Sequence, residues 1–238
     1  MALPLSRKHF VTAAALGVSA AALRGSATAG EPSDQRVPVH FHVLKPNEYN
    51  HALMMKKLST NNKNRQVFQS VSPLLVAPGV ASLYIHMQNS LNAYQFSFGM
   101  GPGSLAALGV LIGPSIVYGL NDATWKKYNI GAALNLAATN IYYRATSNLK
   151  ASASADDPNG LYQDWSAQAI MKRGGMFMVC HNATTAVAAL FAQKSGKSTQ
   201  TVLADFVKNL LPGFQLVPAG VGAVQAAQEM GWKIYPII

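Results

Sequence analysis

The chain alternates short apolar runs with helix-periodic stretches along most of its length. "VPVHFHVL" (37–44) has the every-second-residue alternation of a strand, and "NEYNHALMMKKL" (47–58) has helical spacing with an asparagine at its start. "STNNKN" reads as a loop and "RQVF" (65–68) as a short strand. Between Val80 and Phe98, Tyr84, Met87, Gln88, Leu91, Tyr94 and Phe98 recur at three- and four-residue intervals, which predicts a long amphipathic helix ended by "GMGPG". "SLAALGVLI" (104–112) is an unbroken apolar run bounded by glycine and proline, the signature of a strand buried on both faces. Gly113-Pro114 turns the chain into a helix-like piece ending near "NDATWKKY", and residues 144–163, rich in Ser, Ala, Asp and Asn, read as a flexible loop.

The second half repeats the alternation. "DWSAQAIMKRGG" predicts a helix closed by Gly174, "MFMVC" a buried strand, and "NATTAVAALFAQ" a helix. "STQTVLADFVKNLLPG" predicts a helix capped by Ser198, followed by strand "FQLVPAG", helix "VGAVQAAQEMG" and strand "WKIYPII". Strands without polar alternation, interleaved with helices, imply an α/β fold with a parallel sheet covered on both faces. No internal repeat or linker divides it, so one domain is expected.

Composition narrows the functional classes. Half of the 238 residues are apolar and 12% are charged, which excludes a disordered chain. The first 29 residues have the layout of an export signal: Arg7 and Lys8, an apolar stretch from about Phe10 to Leu23, then Ala27-Thr28-Ala29 before Gly30. "SRKHFV" is similar to a twin-arginine motif with Lys8 in the second arginine's place, and general secretion is the plain alternative. The stretch is too short for a stable span, so no membrane anchor is expected once it is removed. Cleavage takes three cations and no acid from the net charge of +10, leaving +7 on a periplasmic or otherwise exported protein. The remaining Lys and Arg are scattered and not interleaved with aromatics, so no nucleic-acid partner is expected.

Cys180 is the one cysteine in the sequence, and in an oxidising compartment it has no internal partner. It stands where a predicted strand meets a predicted helix, the place where open α/β sheets bind ligands. A thiol there faces helix amides that favour thiolate, with Asn182 or Thr184 as the helix cap and His181 beside it as a proton shuttle. A buried, inert cysteine is the competing reading. Gly113, Pro114 and Ser115 follow the other buried strand and could shape a pocket beside Cys180 with Asn182. His40 and His42 would share a strand face at a spacing suited to a metal, but no third ligand is evident, and neither a metal nor a cofactor is expected. "GMGPGS" precedes a strand, the wrong order for a phosphate loop. Asp122 reads as a turn or cap residue.

"GGMFMVCHNAT", "LLPGFQLVPAGVGAVQAAQEMGWKIYPI", "NSLNAYQFSFG" and "VLIGPS" together resemble the DsrE/DsrF-like sulfur-relay superfamily, in an exported branch, over roughly residues 80–238 outside the 145–163 loop. The resemblance implies a Rossmann-like or flavodoxin-like domain that assembles into trimers or hexamers, preceded here by an extension over about residues 30–79. It also implies a persulfide-carrying cysteine at the position of Cys180, with protein donors and acceptors of sulfur. The alternative is a non-catalytic oligomeric module that binds a small ligand or is purely structural, with Cys180 buried. Whether such a carrier counts as an enzyme is left open.

Overall fold

A computed structural model describes residues 39–237; the export-signal reading falls outside them. The elements in chain order are α1 (His51–Leu58), β1 (Asn64–Ser70), β2 (Leu75–Ala77), β3 (Val80–Ala81), α2 (Ser82–Asn92), β4 (Leu105–Leu111), α3 (Asp122–Tyr128), α4 (Ile130–Leu134), α5 (Ala167–Lys172), β5 (Met176–Cys180), α6 (His181–Ser195), α7 (Thr199–Lys208), β6 (Phe214–Val217), α8 (Gly220–Glu229) and β7 (Lys233–Ile237). One π-helical turn (Ala93–Ser97) extends α2, and 3-10 turns occupy Gly113–Gly119 and Leu161–Gln163.

Five strands form one parallel sheet in the order β6-β5-β4-β1-β7, as the apolar runs predict. All seven residues of β4 are buried, because its side chains meet helices on both faces. On one face α2, α6 and α7 bury Leu83, Met87, Val187 and Phe206; on the other, α1 and α8 bury Met54, Leu58, Val224 and Ala227. Both layers remove apolar surface from water at about 25 cal/mol per Å². The chain steps from β1 through β4 and β5 to β6 at one edge, and α8 then returns it along the second face to β7 beside β1.

Local chemistry sets the helix starts. Asn50 accepts the Leu53 N–H at 2.9 Å, Asn121 that of Thr124 at 2.9 Å, Ser166 that of Ala169 at 3.1 Å and Ser198 that of Thr201 at 3.2 Å. The first predicted helix therefore begins a turn later than its pattern suggests, at Asn50.

Two expectations are corrected. Residues 39–45 have no regular structure: no strand of the described chain pairs with them, and Phe41 and Val43 are exposed. Alternation marks a strand only where a neighbour buries one face. The long helix predicted to Phe98 is α-helical only to Asn92, and its last turn widens to π geometry.

Residues 144–163 contain no helix or strand beyond the 3-10 turn at Leu161–Gln163, yet Asp164 ties both ends of this segment to the domain. One carboxylate oxygen accepts the N–H groups of Thr146 and Ser147, each at 2.9 Å, and the Ser147 hydroxyl at 2.8 Å. The other accepts the Ser166 N–H at 3.0 Å. Burial alone would raise the Asp164 pKa, but the hydrogen bonds from Ser147 and Ser166 outweigh it and hold the carboxyl below its usual range.

Candidate functional site at the carboxyl end of β5

β5 fills its apolar positions between β4 and β6 and ends at Cys180, which pairs with Val217 of β6. These adjacent strands send the chain to opposite faces: α6 leaves Cys180 on one side and α8 leaves β6 on the other. The crevice between two such diverging connections is the topological switch point of an open α/β sheet. The start of α6 is tied to the β6–α8 connection by the Asn182 N–H, which donates to the Pro218 carbonyl at 3.3 Å.

Cys180 is itself the cap of α6. Its Sγ accepts the Ala183 N–H at 3.3 Å, and its backbone is extended at φ −70° and ψ 117°. A sulfur thus occupies the place usually held by a Ser or Asp oxygen. The expected caps serve otherwise: Thr184 donates its hydroxyl to the Cys180 carbonyl at 2.8 Å, and the Asn182 backbone joins the neighbouring connection. The amide that meets the sulfur carries part of the positive end of the dipole of a 15-residue helix.

The second helix closes on the same atoms. α8 starts at Gly220, where a Cβ would lie 2.5 Å from Ile112 Cγ1 and 3.0 Å from Cys180 Cβ. Glycine is needed there to let the helix approach. Cys180 keeps 4% of its surface exposed.

Ile112, which with Cys180 flanks Gly220, leads into the turn after β4. Within that turn Gly113 has φ +57°, and a Cβ would sit 2.7 Å from the Val71 carbonyl oxygen. Pro114 is the second residue of the 3-10 turn. Ser115 is fully buried, its hydroxyl 2.6 Å from the Ser70 carbonyl and 2.8 Å from that of Ile112, while it accepts the Ile112 N–H at 3.1 Å. The turn thus locks the ends of β1 and β4 together, and the Ser115 hydroxyl bonds to Ser70 and Ile112, not to Cys180.

His181, the first residue of α6, is buried, and its Nδ1 has no hydrogen-bond partner among the described residues. The ring of His42 approaches it edge-on, with centroids 6.5 Å apart. His42 Nε2 lies 2.9 Å from Glu48 Oε1, and Glu48 also accepts the Lys45 N–H at 2.7 Å. Burial lowers the His181 pKa and a charged His42 lowers it further, while Glu48 opposes both. His181 is therefore neutral at pH 7. No sequence signal pairs His42 with His181, since 139 positions separate them and only the fold brings them together. His40 is exposed and takes no part in this contact. Among the described residues, no three His, Cys, Asp or Glu side chains are placed to hold a metal ion.

The depressed His181 pKa has a consequence for stability. Above the ordinary value of 6.5 the imidazole is neutral in both folded and unfolded chains. As pH falls through that value the unfolded chain binds the proton first, so stability is lost until the folded site also titrates. Unfolding free energies measured between pH 8 and about pH 5 should fall more steeply for the wild type than for His181→Gln. Parallel curves would show that His181 is not held neutral.

Comparison with protein-family models and with curated proteins gave no match for this chain.

Proposed function

We propose that the protein is an exported, DsrE-like sulfur carrier in which Cys180 holds sulfane sulfur as a persulfide. The observation that carries this reading is the Ala183 N–H on Cys180 Sγ at the first turn of α6, in the switch-point crevice. The Cys180 thiolate attacks the terminal sulfur of a donor persulfide, R–S–SH. A bond forms from Cys180 Sγ to that sulfur as the donor's S–S bond breaks, giving Cys180–S–SH and R–S⁻. An acceptor thiolate repeats the step on the carrier and restores the Cys180 thiolate, with no net oxidation. The Ala183 N–H at the start of α6 holds the Cys180 sulfur in place, and His181, whose protonated form its surroundings disfavour, passes the thiol proton on and does not keep it. As in the family it resembles, the carrier works as a homo-oligomer facing donor and acceptor proteins.

The low exposure of Cys180 and the backbone of Gly220 against its Cβ favour a second reading, a non-catalytic oligomeric module in which the thiol only caps α6. Intact-mass measurement of native protein treated with polysulfide separates the two. A reversible gain of about 32 Da in the wild type and none in Cys180→Ser is expected of the carrier. A chain that gains sulfur only after unfolding would leave the module as the remaining account.

A further inference from the structure

A different kind of site lies at the opposite, amino end of the sheet. A cavity of about 330 Å³ opens there between the last turns of α2, the first residue of β4 and the 3-10 turn at Leu161–Gln163. Its apolar wall comes from Leu91, Leu105, Leu161 and Pro102, and its polar wall carries Arg173 and Lys172. Among the described residues no carboxylate lines it.

Among the described residues the guanidinium of Arg173 is held by neutral groups alone. Its Nη1 donates to Gln88 Oε1 at 2.9 Å and Asn92 Oδ1 at 2.6 Å, and its Nη2 donates to Gln95 Oε1 at 2.9 Å. The first two amides are oriented from behind: Gln88 Nε2 donates to the Leu161 carbonyl at 2.9 Å and Asn92 Nδ2 to the Tyr162 carbonyl at 2.8 Å. Their oxygens must therefore face the arginine. The Tyr162 ring covers the guanidinium at 5.0 Å. Burial pushes the arginine's pKa down to about 10, with no acid among the described residues beside it to offset the loss of water.

A guanidinium has five N–H groups, and three are used here. The Nε–H and one Nη2–H have no partner among the described residues. Arginine's planar fork matches the two oxygens of a carboxylate or phosphate. Three amides on one stripe of α2 and its π turn hold the charge in place without neutralising it. If bridging α5 to α2 were the whole task, a neutral donor would do it without the cost of burying a charge.

We infer that this cavity is a binding site for a small organic oxyanion, with its head on Arg173, Lys172 adding attraction, and a short apolar body against Leu91, Leu105 and Leu161. The carboxylate and phosphate-monoester classes share this head chemistry. The site is independent of Cys180, which lies at the other end of β5.

Hexanoate, hexyl phosphate and hexanol, titrated separately into 15N-labelled full-length protein, test the inference. One or both anions should shift the Arg173 Nε–H resonance saturably, and hexanol should not. Which anion binds more tightly identifies the class. Affinity should fall as salt is raised, and by about tenfold or more in Arg173→Met, the loss of a charged hydrogen-bond donor. Should Arg173→Met fail to fold, the wild-type resonance and its salt dependence decide alone. No saturable shift with either anion, or hexanol binding as well as hexanoate, would overturn the assignment.

Discussion

Truncating Phe177 to alanine is expected to cost the fold about 3–5 kcal/mol, among the largest losses available to a single core substitution. Phe177 is fully buried as the second residue of β5, one strand in from the edge. Its ring stacks on Phe214 with centroids 4.8 Å apart and meets Tyr84 edge-on at 5.6 Å. It also covers Gly109 of β4, where a Cβ would come within 2.8 Å of the Phe177 ring. The neighbours sit on three different elements whose backbones are fixed by the sheet and by α2, so the void cannot collapse. Thermal unfolding should fall by roughly 10 °C. Gly109→Ala sharpens the test, since alone it overpacks this spot and should cost about 1–3 kcal/mol. In the Phe177→Ala background the added methyl enters the void, and the pair should cost less than the sum of the two. Additive losses would mean that the ring and the glycine do not share the space described.

Phe177 and Gly109 show why the sheet could be read from the chain. Each lies in an apolar run with no polar alternation, and such runs have few stable solutions other than a sheet covered on both faces. The strand-to-helix junction at Cys180 was legible for a related reason: "MFMV" and "TTAVAALFA" differ in period, and the change falls on the cysteine.

The details of the site were less accessible. Cap rules favour Asn and Thr, so the sequence pointed to Asn182 or Thr184, whereas the extended backbone at residue 180 puts the sulfur itself over the Ala183 amide. His42 is an exposed residue of an irregular segment, and only tertiary placement puts its ring beside His181. Gln88 fits the apolar stripe of α2 by spacing alone, yet its oxygen serves Arg173, 85 positions away. A periodic pattern reports which face of a helix is buried. It does not report which partner that face meets, and so the oxyanion cavity left no trace in the pattern.

The substitution with the largest expected effect on the thiol itself is Gly220→Ala. The added Cβ would lie 2.5 Å from Ile112 Cγ1 and 3.0 Å from Cys180 Cβ, distances that force Ile112 or the first turn of α8 to move. The strain should cost about 1–3 kcal/mol. The same displacement opens the crevice, so native Cys180 should react faster with a small maleimide than in the wild type. Gly222→Ala, two residues further along α8, is the matched control: its Cβ would meet only Ala219 Cβ, at 3.9 Å. It should leave the thiol rate unchanged and stabilise the helix by up to about 1 kcal/mol, because alanine gives up less backbone freedom than glycine. Adding Ile112→Ala to Gly220→Ala separates the two sources of strain. If Ile112 bears most of it, its removal lets α8 settle back and returns the thiol rate toward that of Ile112→Ala alone. Equal behaviour of Gly220→Ala and Gly222→Ala would contradict the close approach of α8 to Cys180, and with it the account of why this sulfur is so little exposed.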